Sequence, residues 1–167
     1  CAILDNGSTM CWGGNGYGQL GNGNYTGSDT PVSVNLPAGR TATNVALGSQ
    51  HSCAILDNGG INCWGYNNNG QLGNGNNTNS NISVSVSWPG TTATAISLGS
   101  QHSCAILYGG SIKCWGDNNY GQLGDGTTTD SNIPVAVNLP IGRTATALEL
   151  GDHHSCAILD DNSTMCW

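Results

Sequence analysis

One segment, repeated in register along the chain, limits what this sequence can fold into. Cys-Ala-Ile-Leu begins at Cys1, Cys53, Cys104 and Cys156, in steps of 52, 51 and 52 residues. Cys-Trp follows ten residues later, at Cys11, Cys63, Cys114 and Cys166. Gly-Gln-Leu-Gly recurs from Gly18, Gly70 and Gly121, and Thr-Ala-Thr from Thr41, Thr92 and Thr144. Leu-Gly (Leu47, Leu98, Leu150) and then His51, His102 and His154, each followed directly by Ser, close each unit. A unit of this size cannot bury its apolar face alone and must stack on its copies. Residues 1–167 therefore read as one tandem repeat region. Repeat one is 1–52, repeat two 53–103, repeat three 104–155, and 156–167 opens a fourth.

Within a period the residue pattern predicts four short strands and no helix. In the second repeat these are 44–47, 51–56, 61–64 and the alternating segment 83–88, which matches 32–36 and 135–139. Asp57-Asn58-Gly59 marks a hairpin turn between the second and third strands. Four strands per period of about fifty residues read as one propeller blade. The expected fold class is all-β, with propeller-type blades of four antiparallel strands. About three blades are present, as a partial propeller or an open array.

Cys-Ala-Ile-Leu, the turn, Cys-Trp-Gly, Gly-Gln-Leu-Gly, a Pro-Val strand and Leu-Gly before His-Ser together resemble the regulator of chromosome condensation repeat. The resemblance spans essentially the whole chain and points to a bacterial-type secreted or surface member. It implies a β-propeller, usually of seven blades, and no single function. Proteins with this pattern include a nuclear exchange factor for a small GTPase, a secreted bacterial inhibitor of β-lactamases and bacterial surface proteins. A seven-bladed ring at this period needs roughly 360 residues, against 167 here. The chain reads as a section of a longer polypeptide or of an assembly.

The eight cysteines fall into four pairs, Cys1/Cys11, Cys53/Cys63, Cys104/Cys114 and Cys156/Cys166. On a hairpin around Asp57-Asn58-Gly59, Cys53 lies opposite Cys63. Opposed residues about 4.5 Å apart at Cα can be bridged by a disulfide. Two alternatives stay open: free buried thiols, and a metal site in which His51, His102 and His154 share a face with the cysteine two residues on. Disulfides would imply an oxidising compartment, extracellular or at the cell surface, and argue against a nuclear role.

Repeated residues are expected to do repeated, structural work. Trp12, Trp64 and Trp115 should pack between blades, and Leu20, Leu72 and Leu123 should plug them. The His-Ser pairs suggest a nucleophile and its base, but neighbours on a strand point to opposite faces, so a structural role is expected. Gly-Gln-Leu-Gly lacks the lysine and helix of a phosphate-binding loop. The Asn/Asp/Thr-rich loops 22–29, 74–81 and 125–132 could offer oxygen ligands to calcium, yet they lack the spacing of a calcium loop. Five glycosylation sequons begin at Asn6, Asn24, Asn76, Asn81 and Asn162.

Residues that break the repeat are the better candidates for specific binding. Trp88 replaces Leu36 and Leu139, and Asp152-His153 replaces Ser-Gln. Tyr108, Lys113, Asp117, Asp125 and Glu149 are also single-copy. Trp88, Tyr108, Asp152 and His153 are taken as the possible binding residues.

Composition narrows the function classes. Only 8% of residues are charged and the net charge is −7, with Arg40, Lys113 and Arg143 as the only strong cations. Three cations cannot form the basic stripe that nucleic acid requires. No apolar run is long enough for membrane insertion. No catalytic constellation, cofactor or committed metal site emerges. The expectation is an extracellular, non-enzymatic structural or adhesive repeat protein, assembling with its own copies or with the rest of a longer chain. The alternative is a secreted module that binds a protein or a glycan.

Overall fold

The computed structural model describes residues 1–87, 90 and 92–167. Among the described residues fourteen strands follow in chain order: β1 (Ala2–Ile3), β2 (Thr9–Gly13), β3 (Ser28–Ser33), β4 (Ala42–Leu47), β5 (His51–Leu56), β6 (Ile61–Gly65), β7 (Ser80–Ser85), β8 (Ala93–Leu98), β9 (His102–Leu107), β10 (Ile112–Gly116), β11 (Ser131–Ala136), β12 (Ala145–Leu150), β13 (Ser155–Leu159) and β14 (Thr164–Cys166). They form four antiparallel sheets. β4 to β7 and β8 to β11 are complete four-stranded blades, here blades two and three. β1 to β3 and β12 to β14 are three-stranded sheets at either end, blades one and four. The inner strands β4, β8 and β12 lie side by side, and the array is open.

The second and third strands fall where the sequence pattern puts them, but the fourth does not. It pairs over Ser28–Ser33, Ser80–Ser85 and Ser131–Ala136, about three residues earlier than the alternating pattern suggested. Alternation reports which side chains face the core, and Val84 and Val86 do so; it does not report where main-chain pairing starts. Pairing begins early because a bulge opposite β6 lets Ser80 join Gly65. Within the bulge, Ser80 Oγ donates to the carbonyl of Ile82 at 2.7 Å.

β5 and β9 are buried along their full length. Both faces of each blade are covered by neighbouring blades, so His-Ser-Cys-Ala-Ile-Leu lacks the polar alternation of a half-exposed sheet. Cys53, Ile55, Ile61, Cys63 and Leu72 of blade two pack with Ile96, Ala105 and Trp115 of blade three. On the other face of blade two, Ala54, Leu56 and Trp64 pack with Cys11 and Leu20 of blade one. The core is thus a series of layers between blades.

The eight cysteines form four disulfides, Cys1–Cys11, Cys53–Cys63, Cys104–Cys114 and Cys156–Cys166, with Cα atoms 4.0 to 4.1 Å apart. Each joins directly opposed residues of one hairpin, as at Cys53 and Cys63. It ties two strands of a single blade and links no blade to another.

Burial separates the four bridges. All four cysteines of blades two and three are inaccessible, whereas Cys166 is exposed and Cys156 half-buried. Exchange needs a thiolate to reach a sulfur. Mild reductant with an alkylating agent should therefore label Cys156 and Cys166 in the folded protein. Cys53, Cys63, Cys104 and Cys114 should be labelled only on unfolding. Peptide mapping reads the order, and labelling of the central bridges in native buffer would contradict it.

Candidate binding surface

Each seam between blades is closed by one recurring set of hydrogen bonds. Trp64 Nε1 donates to the carbonyl of Gln19 in the preceding blade at 2.9 Å, and Ser52 Oγ donates to the same oxygen at 2.9 Å. Trp115 and Ser103 do the same to Gln71 O, and Trp167 and Ser155 to Gln122 O. Gly73 lies against the Trp115 indole, where an added Cβ would come 2.8 Å from Cδ1, and its φ of +65° also favours glycine. A side chain larger than hydrogen there would push the indole off its acceptor.

The His-Ser pairs meet across the seams, not within them. His51 Nε2 lies 2.9 Å from Ser103 Oγ, and His102 Nε2 lies 3.0 Å from Ser155 Oγ. Ser103 Oγ gives its proton to Gln71 O, so His51 Nε2 carries the proton of that contact and Nδ1 is bare. The hydroxyl points its proton away from the imidazole, and His51, His102, Ser103 and Ser155 are at most 1% exposed. This arrangement neither activates a nucleophile nor admits a substrate. The role is structural, as the repetition suggested, and the structure places it at the seam.

With all eight cysteines in disulfides, the Cys-His metal alternative loses its ligands. Among the described residues no three His, Cys, Asp or Glu side chains are grouped to hold a metal. The Asn/Asp loops use their polar groups on themselves. Asn67 Oδ1 accepts from Leu72 N, while its Nδ2 donates to the carbonyls of Asn76 and Thr78. Asn15 and Asn118 repeat the pattern. Four sequon asparagines, Asn6, Asn24, Asn76 and Asn162, are exposed, and Asn81 is half-buried in β7.

Strand direction gives the array two faces. The loops after β4 and β6, and their equivalents, form an upper face. The hairpin turns after β5 and the connections after β7 form a lower one. Asp152 and His153 are exposed on the upper face, after β12, and Tyr108 is 80% exposed on the lower face, after β9. The candidate binding residues are therefore not brought together, and Trp88 lies outside the described residues.

A neighbour that the sequence reading missed lies beside His153. Its ring lies 5.2 Å from that of Tyr120, which is 72% exposed. Tyr17 of blade one meets Tyr66 of blade two edge-on at 4.9 Å. Tyr17, Asn69 and Tyr120 occupy one repeat position in three copies. That variation inside a constant motif was the available signal. Asp29, Asp117, Asp125, Asp130 and Asp152 also belong to this face, whereas Arg40 and Arg143 belong to the lower one.

The other single-copy residues have local partners. Asp117 is buried and accepts from Gln122 Nε2 at 2.6 Å. Glu149 Oε2 accepts from Ser97 Oγ at 3.5 Å. Arg40 pairs with Asp57 and Arg143 with Asp160, each from a connection to the next blade's turn. Tyr108 occupies the turn position of those aspartates in blade three.

Two expected outcomes test the seams. Replacing Trp64 with Phe removes one donor to the partly buried Gln19 carbonyl, which keeps Ser52 as a partner, costing about 0.5–1.5 kcal/mol. Denaturant unfolding measures the loss. Burial, followed by the neighbouring His102, lowers the His51 pKa to about 3; burial, followed by His153 and His154, lowers that of His102 to about 4. The unfolded chain therefore binds these protons first. Stability is full above pH ~6.5 and falls as the pH drops towards those lowered values. Melting temperature should fall between pH 7 and pH 4.5, and His102→Gln should flatten the profile.

Comparison with known proteins matches this geometry. The regulator of chromosome condensation (RCC1) repeat describes residues 6–55, 58–106 and 110–158. The human E3 ubiquitin-protein ligase HERC2 is 30% identical over 157 residues, which is 93% of this chain and 3% of that protein. The Arabidopsis thaliana ultraviolet-B receptor UVR8 is 30% identical over 167 residues, 99% of this chain and 38% of the receptor. The chain thus spans well under half the length of these relatives. Among solved structures, human WBSCR16 superposes with a TM-score of 0.88 at 22% identity, over 99% of this chain and 44% of that one. Yeast RCC1 (Prp20), solved bound to Kap60, gives 0.82 at 20% identity, over 99% of this chain and 40% of its own. The blades are those of a β-propeller, and the chain belongs to the RCC1 repeat family.

Proposed function

We propose that this chain is a non-enzymatic section of a propeller whose upper face binds another protein. The observation that carries this reading is a division of labour. Trp64, Trp115, His51, His102 and the Gly-Gln-Leu-Gly loops are consumed in seams, while the exposed upper face displays Tyr17, Tyr66, Tyr120 and His153. Exposed aromatic rings that vary between copies suit specific docking, since aromatic side chains contribute much of the energy of interfaces. The similar yeast RCC1 (Prp20), solved in complex with Kap60, supports the same class of activity. A glycan is a second ligand for exposed tyrosines and ranks below a protein.

The disulfides favour an oxidising setting, outside the cell or at its surface. The secreted or surface character rests on them alone. An assembly role is proposed from the near-identical copies, each of which presents the same kind of face to its neighbour.

The docking reading predicts where a partner is captured. A photo-crosslinking residue at Tyr120 or His153 should yield an adduct in native material, and the same residue at Ile82 on the outer strand should not. If neither upper-face position captures anything, the reading fails.

A further inference from the structure

The lower ends of blades one, two and three each carry a groove between the second-to-third-strand turn and the connection that leaves the outer strand. The first two grooves serve as internal controls, because their residues occupy the same repeat positions. In blade three four positions depart from the pattern at once. Lys113 stands where blades one and two have Met10 and Asn62. Ala136 replaces Ser33 and Ser85, and Ile141 replaces Ala38 with no counterpart in blade two. Tyr108 replaces the turn acid Asp5, Asp57 or Asp160 of the other hairpins. Lys113, Ala136 and Ile141 line a single groove of about 460 Å³ with Val137, Leu139 and Arg143. Tyr108 sits beside it, next in chain to Gly109.

These exchanges all change the chemistry in the same direction. An acid is lost, a lysine is gained and two positions become more apolar. Ile141 is fully exposed, in a protein whose other large apolar side chains are mostly layered between blades. The charge at Lys113 is unanswered: among the described residues the cations in ion pairs are Arg40 and Arg143, and Lys113 is not one of them. The net charge of −7 does not oppose an anion here. The nearest acids, Asp160 and Asp161, are already paired with Arg143, and those of the upper face lie a strand length away, roughly 17–20 Å, beyond the ~8 Å screening length of physiological salt.

We propose that this groove binds an acidic, aliphatic peptide segment of a partner protein. A Glu or Asp carboxylate meets Lys113, and a neighbouring aliphatic side chain lies against Val137, Leu139 and Ile141. This deepens the protein-binding reading above and rests on it, but uses the opposite face. Failure here leaves the capture experiment at Tyr120 and His153 untouched.

The test is a titration of the isotope-labelled protein with acetyl-Leu-Glu-Leu-amide and with its uncharged counterpart acetyl-Leu-Gln-Leu-amide, followed by NMR. The Glu peptide should shift the amides of Tyr108, Lys113 and Ile141, and the Gln peptide should bind about tenfold more weakly. Lys113→Asn and Ile141→Ala install the residues that Asn62 and Ala38 already hold in sister blades, so both should melt as the parent does. Each should weaken the Glu peptide severalfold. Equal binding of the two peptides, shifts spread over all three grooves, or no shift at millimolar peptide would overturn the proposal.

Discussion

The hydrogen bond from a tryptophan indole to a loop carbonyl of the preceding blade is the contact on which the rest of the structure depends. Trp64 to Gln19, Trp115 to Gln71 and Trp167 to Gln122 are three copies of it, at 2.9 to 3.0 Å. A sheet of four short strands has two apolar faces and cannot bury either alone. The indole covers much of that face with one rigid ring. Its single N–H must find an acceptor once buried, and this fixes where the neighbour sits. Ser103 shares the acceptor and His51 closes on the serine, so each seam is specified by direction as well as by burial.

The division between constant and variable residues follows from those seams. A residue held by two blades cannot change without disturbing both, so the seam residues recur nearly unchanged. Loops and turns that project from either face are free of that constraint. Asn69 can stand where Tyr17 and Tyr120 do, and Tyr108 where Asp57 and Asp160 do. The disulfides complement this arrangement from inside each blade. Cys53–Cys63 fixes one hairpin, and the layer it helps build then receives the next tryptophan.

Much of the architecture was legible in the chain. The spacing of Cys53 and Cys63 about Asn58-Gly59 placed the two cysteines opposite each other on a hairpin. The inter-blade role of Trp64 and Trp115 followed from their recurrence. The fourth strand was misplaced because the alternation around Val84 and Val86 marks inward side chains, while the bulge at Gly65 decides where pairing begins. The surface was harder to read. Tyr108 and His153 are both single-copy, yet strand direction sends them to opposite faces. Tyr66 and Tyr120 drew no notice in sequence, because a tyrosine in a polar loop carries no mark of what it will stand beside.

What the sequence alone determined is the unit and its pairing rules: a four-stranded blade, a cysteine pair across one hairpin, a tryptophan committed to the neighbouring copy, and a serine and histidine given to structure. These are local or nearest-neighbour properties, and repetition writes them out several times. What only the tertiary structure decided is the make-up of each surface. It joined Tyr120 to His153 and drew Lys113, Ala136 and Ile141 into one groove. The reason is physical: a seam is set by contacts that every copy must make. A face is assembled from residues far apart in the chain, whose meeting depends on strand direction and blade order.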